Sequence, residues 1–196
     1  MDGDEGGREM RKIVSLFQRN YEGDRQVRDE VVPGAEWVAA DEGKPTEKHD
    51  GTACMMRGGV LYKRYGANHG KTPPEGWEPC EPSQDPRTGH WPGWLRVTEA
   101  KEDKWFRSAS TDGLADGTYE LVGPKVQGNP YQLADHEFRR HGSVRVDAPR
   151  TFSALKAFLA AHPIEGIVWH HPDGRMVKIK SRDFGLRWPP ARTETK

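Results

Sequence analysis

EGIVWHHPDGRMVKIK, residues 165–180, decides the fold. Two β-prone runs, EGIVWHH and MVKIK, flank Pro172-Asp173-Gly174, and a short turn between such runs reads as a β-hairpin. Side chains alternate along a strand, so Val177 and Ile179 share one face while Lys178 and Lys180 share the other. The apolar pair packs inward. The two ammonium groups then project into one space, where they repel unless an anion sits between them. On residue types alone, the alternative is a solvated edge-strand face on which lysine discourages aggregation. Glu165 opens the hairpin, just before Gly166.

Outward from this hairpin the strand signal continues. TFSALKAFLAAH (151–162) reads as a helix. Thr151 is its candidate cap, Phe152, Leu155, Phe158 and Leu159 form its apolar stripe, and Pro163 stops it. TYELVG (118–123) reads as a strand carrying Glu120 among apolar neighbours. A carboxylate there is costly unless it meets a cation, a metal or a donor, and the alternative is a half-exposed strand with Glu120 in water. TACMMR and VLYKRY, joined by Gly58-Gly59, form a second hairpin in which Val60, Tyr62 and Arg64 share a face.

Residues 66–96 are rich in Pro, Gly and Trp and read as one long connection, either a tryptophan-pinned surface loop or a functional one. Its Lys71, Arg87, Trp91 and Trp94 combine charge with flat side chains, as single-strand nucleic-acid sites do. Residues 10–30 read as a short strand or helix around Ile13, Val14, Leu16 and Phe17. The expected organisation is a disordered tail at 1–9, one domain at 10–190 and a C-terminal tail at 191–196. Strands with one or two helices, mostly antiparallel, make the class α+β.

The composition sets bounds. A chain of 196 residues suits one domain, with 34% hydrophobic and 31% charged residues implying a very polar surface or cleft. Thirty basic and thirty acidic residues cancel, so only a local basic face would argue for nucleic acid. No run approaches a membrane span and no apolar signal core opens the chain, so the expected setting is a reducing cytoplasm, away from membranes. The two cysteines, Cys54 and Cys80, make neither a disulfide framework nor a zinc site. His170 and His171 read as strand-end residues rather than ligands.

TEKHDGT (46–52) poses the chemical question. Lys48-x-Asp50-Gly51 places a lysine and a glycine just ahead of a strand. A lysine that attacks phosphorus or a carbonyl must be neutral, and nearby cations with partial burial favour that form. Lys178 and Lys180 are candidates for those cations. Alone, the tetrapeptide is a chance-level pattern. In order, however, TEKHDGT, YKRY, YELVGP, EGIVW and VKIK resemble the motif set of the covalent nucleotidyltransferases, the polynucleotide ligases and mRNA capping enzymes. The strings GHWPGWLRV, YELVGPKVQGNPY, IEGIVWHHPDGRMVKIK and DFGLRWP are similar to a group of ATP-dependent 5′–3′ RNA ligases of animals, bacteria and phages. The likeness covers about residues 46–189.

The resemblance implies a ligase adenylation fold, mostly antiparallel sheets flanking a nucleotide cleft. It implies an enzyme that uses ATP and magnesium, with manganese as an alternative, to join RNA 5′-phosphate and 3′-hydroxyl ends through a lysyl-AMP, in RNA repair. By position it makes Lys48 the nucleophile, with the Glu47 backbone on the adenine. Arg64 would meet ribose and phosphate, and Glu120 a ribose hydroxyl. His141 is the adenine-stacking residue, with Phe138 the alternative. Glu165, with Glu120, would hold the metal, and Lys178, supported by Lys180, would grip the α-phosphate. With 16 residues after Lys180, the expectation is a chain without the OB domain that many such enzymes carry. RNA would then be gripped by the catalytic domain itself, through the 66–96 segment, the N-terminal segment or a protein partner. The alternatives are a nucleotidyltransferase with another acceptor, DNA or a cap, and a non-catalytic nucleotide- or RNA-binding module.

Overall fold

The computed structural model describes residue 10 and residues 12–189; the tails expected at 1–9 and 191–196 lie outside the described residues. In chain order the strands and helices are β1 (Val14–Ser15), β2 (Phe17–Arg19), β3 (Val27–Val31), α1 (Glu36–Ala39), β4 (Lys44–Lys48), β5 (Thr52–Arg57), β6 (Val60–Gly66), β7 (Glu78–Pro79), β8 (Pro92–Arg96), α2 (Lys104–Arg107), β9 (Gly117–Val122), β10 (Glu137–Arg140), α3 (Phe152–Ala161), β11 (Gly166–His170) and β12 (Met176–Lys180). The class is α+β, with mostly antiparallel sheets and few helices. The described residues gather into two compact units. One holds Ile13–His49 and Gly142 onward, the other Asp50–His141 with residues up to Lys12.

The first unit is built on a four-stranded sheet ordered β1-β12-β11-β4. β11 runs antiparallel to β12 and β4, while β1 lies parallel to β12 at one edge. The alternation read in MVKIK holds: Val177 and Ile179 are buried, and Lys178 and Lys180 stand on the other face. Ile167 and Trp169 of β11 join them in a core closed by Leu155 and Leu159 of α3, together with Leu16, Phe17 and Trp37. Thr151 stands at the N-cap of α3 but makes no side-chain capping bond. The helix is therefore held by its apolar stripe, through which Phe152 meets Phe17 and Phe184 edge-on at 5.1 Å.

The second unit is a six-stranded sheet ordered β10-β9-β5-β6-β8-β7, antiparallel throughout. Both faces of β5 are covered. Cys54 and Met56 pack with Tyr119, Leu121 and Phe106, and Met55 packs with Trp94 and Cys80 on the other side.

The 66–96 segment is not one structureless connection. Residues 92–96 form β8 and pair along β6, with β7 on the outer edge. Pro92 and Gly93 disguise that strand in the sequence. Gly93 is demanded by packing, since a Cβ there would lie 2.3 Å from the Trp77 ring. The remaining loop is pinned by Trp77 and Trp91, edge to face at 4.8 Å. Their indole N–H groups donate to the carbonyls of Tyr65 (3.2 Å) and Glu81 (2.8 Å).

Candidate active site

In the first unit the decisive device is the register of three strands. Gly166 on β11 lies opposite Lys180 on β12 and Lys48 on β4, and Val168 lies opposite Lys178 and Thr46. Residues directly opposed across a sheet share a face. Lys48, Lys178 and Lys180 therefore rise from the same side of the sheet. Gly166 makes this possible, because a Cβ there would lie 2.2 Å from the Ile179 carbonyl oxygen. Lys48 is thus the last residue of a strand. Pro45 and the flanking charges conceal β4 in the sequence, whereas its partner β11 is a plain apolar run.

The Lys48 ammonium donates to Glu165 Oε2 at 2.6 Å and to the His49 carbonyl at 3.3 Å. Glu165 is buried, so this pair is shielded from the screening that weakens exposed ion pairs. Lys178 is pushed down to about 8, chiefly by burial and then by the charges of Lys48 and Lys180; Asp183 and Glu165 pull the other way. Three lysines are thus concentrated where their charges are felt mutually.

Asp183 is an anchor that the sequence reading did not single out. Buried at 1% exposure, it accepts the Lys180 amide at 2.9 Å through Oδ2 and pairs with Arg19 through Oδ1. The signal was an acid three residues past Lys180, the reciprocal half of a capping pattern. Glu47 donates its amide to the Val144 carbonyl at 2.9 Å, and its carboxylate lies 3.4 Å from His49 Nδ1. The Glu47 amide is thus engaged within the fold.

In the second unit the expected nucleotide residues share one sheet face. Ala53 lies opposite Glu120, Met55 opposite Tyr62, and Arg64 opposite Trp94. Glu120, Ala53 and Arg64 consequently point the same way. Glu120 is buried and fully engaged: Oε1 accepts the Gly51 amide at 3.1 Å, and Oε2 lies 2.7 Å from His141 Nε2. The glycine of Lys48-x-Asp50-Gly51 has a packing reason. A Cβ on residue 51 would lie 2.1 Å from the Leu121 carbonyl oxygen, so only glycine brings the chain against β9. Arg64 donates to Cys80 Sγ at 3.3 Å and lies over the Trp94 ring at 5.1 Å. Burial lowers its pKa, and the charges of Cys80, Glu81 and Glu120 work against that. Phe138 is partly buried and packs against the core, edge-on to Tyr119.

Among the described residues no three His, Cys, Asp or Glu side chains converge to hold a metal. Magnesium nevertheless often uses one or two carboxylates, completed by water and phosphate oxygens. The buried carboxylate of Glu165 fits that role, and Glu120 is of the same chemical kind. For nucleic acid, Lys71 and Arg87 are exposed and Trp91 is partly buried. Trp94 must be corrected: it is 1% exposed and fills the sheet core.

Comparison with known proteins bears on this arrangement. The sequence model of the RNA ligase 1 family matches residues 108–196. RNA ligase 1 of Danio rerio is 30% identical over 142 residues, covering 54% of this chain and 44% of that protein. These RNA ligases are relatives of this chain. RNA ligase 1 of Rattus norvegicus is 29% identical over 164 residues, covering 61% of this chain and 50% of the relative, and that of Mus musculus is 28% identical over 167 residues with the same coverage. The chain spans about half the length of the curated relatives it matches. Glu120, His141, Glu165, Lys178, Lys180 and Asp183 fall inside the family match, whereas Lys48 and Arg64 precede it. Among the described residues no helix is long and apolar enough to cross a membrane.

Proposed function

We propose that the chain is an ATP-dependent RNA ligase with a nucleotidyltransferase fold, joining RNA 5′-phosphate and 3′-hydroxyl ends through a lysyl-AMP, in RNA repair in the cytoplasm. The observation that carries the reading is Lys48, held at 2.6 Å by the buried Glu165 on the face that Lys178 and Lys180 share. A strand-end amine beside a carboxylate and two further cations suits attack on a phosphate. RNA ligase relatives support RNA as the acceptor.

Phosphoryl transfer asks for charge neutralisation and in-line placement more than for proton shuttling. The Lys48 ammonium must first lose a proton, and Glu165 Oε2 is the acceptor in reach. The neutral amine attacks the α-phosphorus of ATP. An N–P bond forms, the bond to the bridging β-oxygen breaks, and pyrophosphate leaves. Lys178 and Lys180 offset the charge that builds on the phosphate oxygens, a task at which preorganised cations are effective. Arg64 and Glu120 bind the ribose, Glu120 through its hydroxyls, and His141, its ring fixed by Glu120, covers the adenine. Glu165 would hold magnesium, which when bound neutralises phosphate charge. AMP then passes to the RNA 5′-phosphate with release of the Lys48 amine. Attack by the 3′-hydroxyl forms the phosphodiester and frees AMP.

The test is direct. Incubated with magnesium and α-labelled ATP or GTP, the protein takes label from ATP in preference, and Lys48→Ala takes none. Lys48→Ala still seals RNA supplied already adenylylated, because that step does not use the amine. A 5′-phosphorylated RNA chase removes the label faster than nicked DNA does. Label on Lys48→Ala sinks the assignment of the nucleophile, and equal or faster sealing of DNA sinks that of the acceptor.

A further inference from the structure

Ser15 departs from the pattern of its surroundings. Its Oγ is buried and has no hydrogen-bond partner among the described residues. Buried hydroxyls are nearly always paired, and an exception calls for a physical reason. Two other buried donors of this unit, the indole N–H groups of Trp37 and Trp169, are also without partners, but both side chains belong to the apolar core. Ser15 does not. It pairs with Lys178 across the parallel β1–β12 ladder, and its neighbour Leu16 belongs to the core. By alternation Ser15 stands on the lysine face.

The order of the strands gives that position a direction. Across the sheet β1-β12-β11-β4, Ser15 sits at one edge, Lys178 one strand further in and Lys48 on the opposite edge. With strands spaced about 4.8 Å apart, Ser15 is one spacing from Lys178, and β1 is about 14 Å from β4. In phosphoryl transfer the attacking and leaving atoms are roughly in line on opposite sides of phosphorus. If Lys48 attacks from the β4 edge a phosphate held by Lys178, the leaving group extends toward β1.

We propose that Ser15 Oγ–H donates a hydrogen bond to the pyrophosphate end of the bound nucleotide, the leaving group of adenylyl transfer. The assignment rests on Lys48 being the nucleophile. Ser15 keeps its proton and forms no covalent bond. It supplies a donor to an oxygen that gains charge as the bridging bond breaks. Ser15 as a residue is only partly buried, so rotation about its Cα–Cβ bond turns the hydroxyl to the arriving phosphate, which supplies the acceptor it lacks.

Two AMP donors with different leaving groups test it. ATP expels pyrophosphate, whereas adenosine 5′-phosphorimidazolide delivers the same AMP and expels imidazole. With Ser15→Ala, labelling of the protein from ATP should slow about ten- to a hundredfold, the usual effect of losing a hydrogen bond to a charged group. Labelling from the imidazolide should match wild type. Pyrophosphate-driven discharge of AMP from the adenylylated protein should slow to a similar degree, and Ser15→Thr should restore both. Equal loss with both donors makes Ser15 a structural residue and overturns the proposal, as does wild-type behaviour with both. If wild-type protein takes label from neither donor, the adenylyl-transfer reading falls and the Ser15 assignment falls with it.

Discussion

Two regions of this molecule are dense in cations, and they use them differently. Around the 66–96 segment the charged groups satisfy one another, and among the described residues only the buried Trp94 indole N–H of that segment is left without a partner. Arg57 makes two bonds to Glu78 at 2.6 and 2.8 Å, Arg64 reaches Cys80, Lys12 pairs with Asp85 at 3.0 Å, and the Trp77 and Trp91 indoles find backbone carbonyls. On the lysine face of the four-stranded sheet, Lys48 has Glu165, but Lys178 is held at about 8 among like charges, and beside it lies a buried hydroxyl with no partner among the described residues. Residue types are similar in the two regions. What separates a framework from a site is whether charged groups meet opposite charges inside the fold or are gathered with like ones.

The largest effect expected from this contrast is on stability. Trp94→Ala removes a fully buried indole from the core it shares with Met55 and Cys80, and truncations of that kind cost ~3–5 kcal/mol. Chemical denaturation would measure it. A Trp94→Ala protein that keeps its stability but loses RNA joining would break the comparison, because Trp94 would then be a binding residue after all.

Next comes Lys178, where the effect should fall on chemistry. Losing a preorganised contact to developing charge typically costs ~10²–10³ in rate. Lys178→Ala should therefore fail both in self-adenylylation and in sealing of pre-adenylylated RNA, unlike Lys48→Ala. If Lys178→Ala seals pre-adenylylated RNA at the wild-type rate, the cation does not act on the phosphate.

The same lysine gives a pH prediction of two opposite signs. Its folded-state pKa, about 8, lies below the 10.5 of an ordinary lysine. Between those values the unfolded chain binds more protons than the folded one, so the Lys178 contribution to stability rises with pH. Below 8 both states are charged and the cost of burying the cation is fully present. Nucleotide binding should run the other way, weakening as pH climbs through about 8 and the phosphate-binding charge is lost. Titrating wild type against Lys178→Met by denaturation and by nucleotide binding reads both signs. If the two proteins show the same pH dependence in both measurements, Lys178 is not the titrating group.

How far the sequence revealed these regions follows the same physics. The hairpin of β11 and β12 was legible because its strands alternate cleanly or run apolar between turn residues. β4 and β8 were not, since Pro45, Pro92 and Gly93 carry the usual marks of loops. Lys48, Glu120, Glu165, Lys178 and Lys180 were legible as an ordered motif set, and the register explains why such distant residues occupy shared faces. Trp94 was misread because aromatic and basic residues look alike in a strand core and on a binding loop until burial is known. Ser15 carried no motif, and Asp183, though it opens the string DFGLRWP, was given no role of its own. Ser15 is marked by a hydrogen bond unmet among the described residues, and Asp183 by burial of its charge, properties that folding creates even where a capping spacing hints at the second.

The smallest expected effect sharpens the comparison most. Lys71 and Arg87 are the exposed cations of the 66–96 segment that remain from the four candidate RNA contacts. Surface substitutions away from packed features usually change stability by less than ~0.5 kcal/mol, so Lys71→Ala with Arg87→Ala should leave the denaturation curve nearly unchanged. Self-adenylylation should also be unchanged, because neither residue belongs to the lysine face. If the segment tracks an RNA backbone, joining should weaken a few-fold at low salt and lose part of its dependence on salt, since fewer counterions are released on binding. A matching loss of self-adenylylation would instead mean that the loop supports the nucleotide site. Unchanged joining at every salt concentration would leave the segment with its internal bonding alone, a surface loop whose charges and tryptophans serve the sheet beneath it.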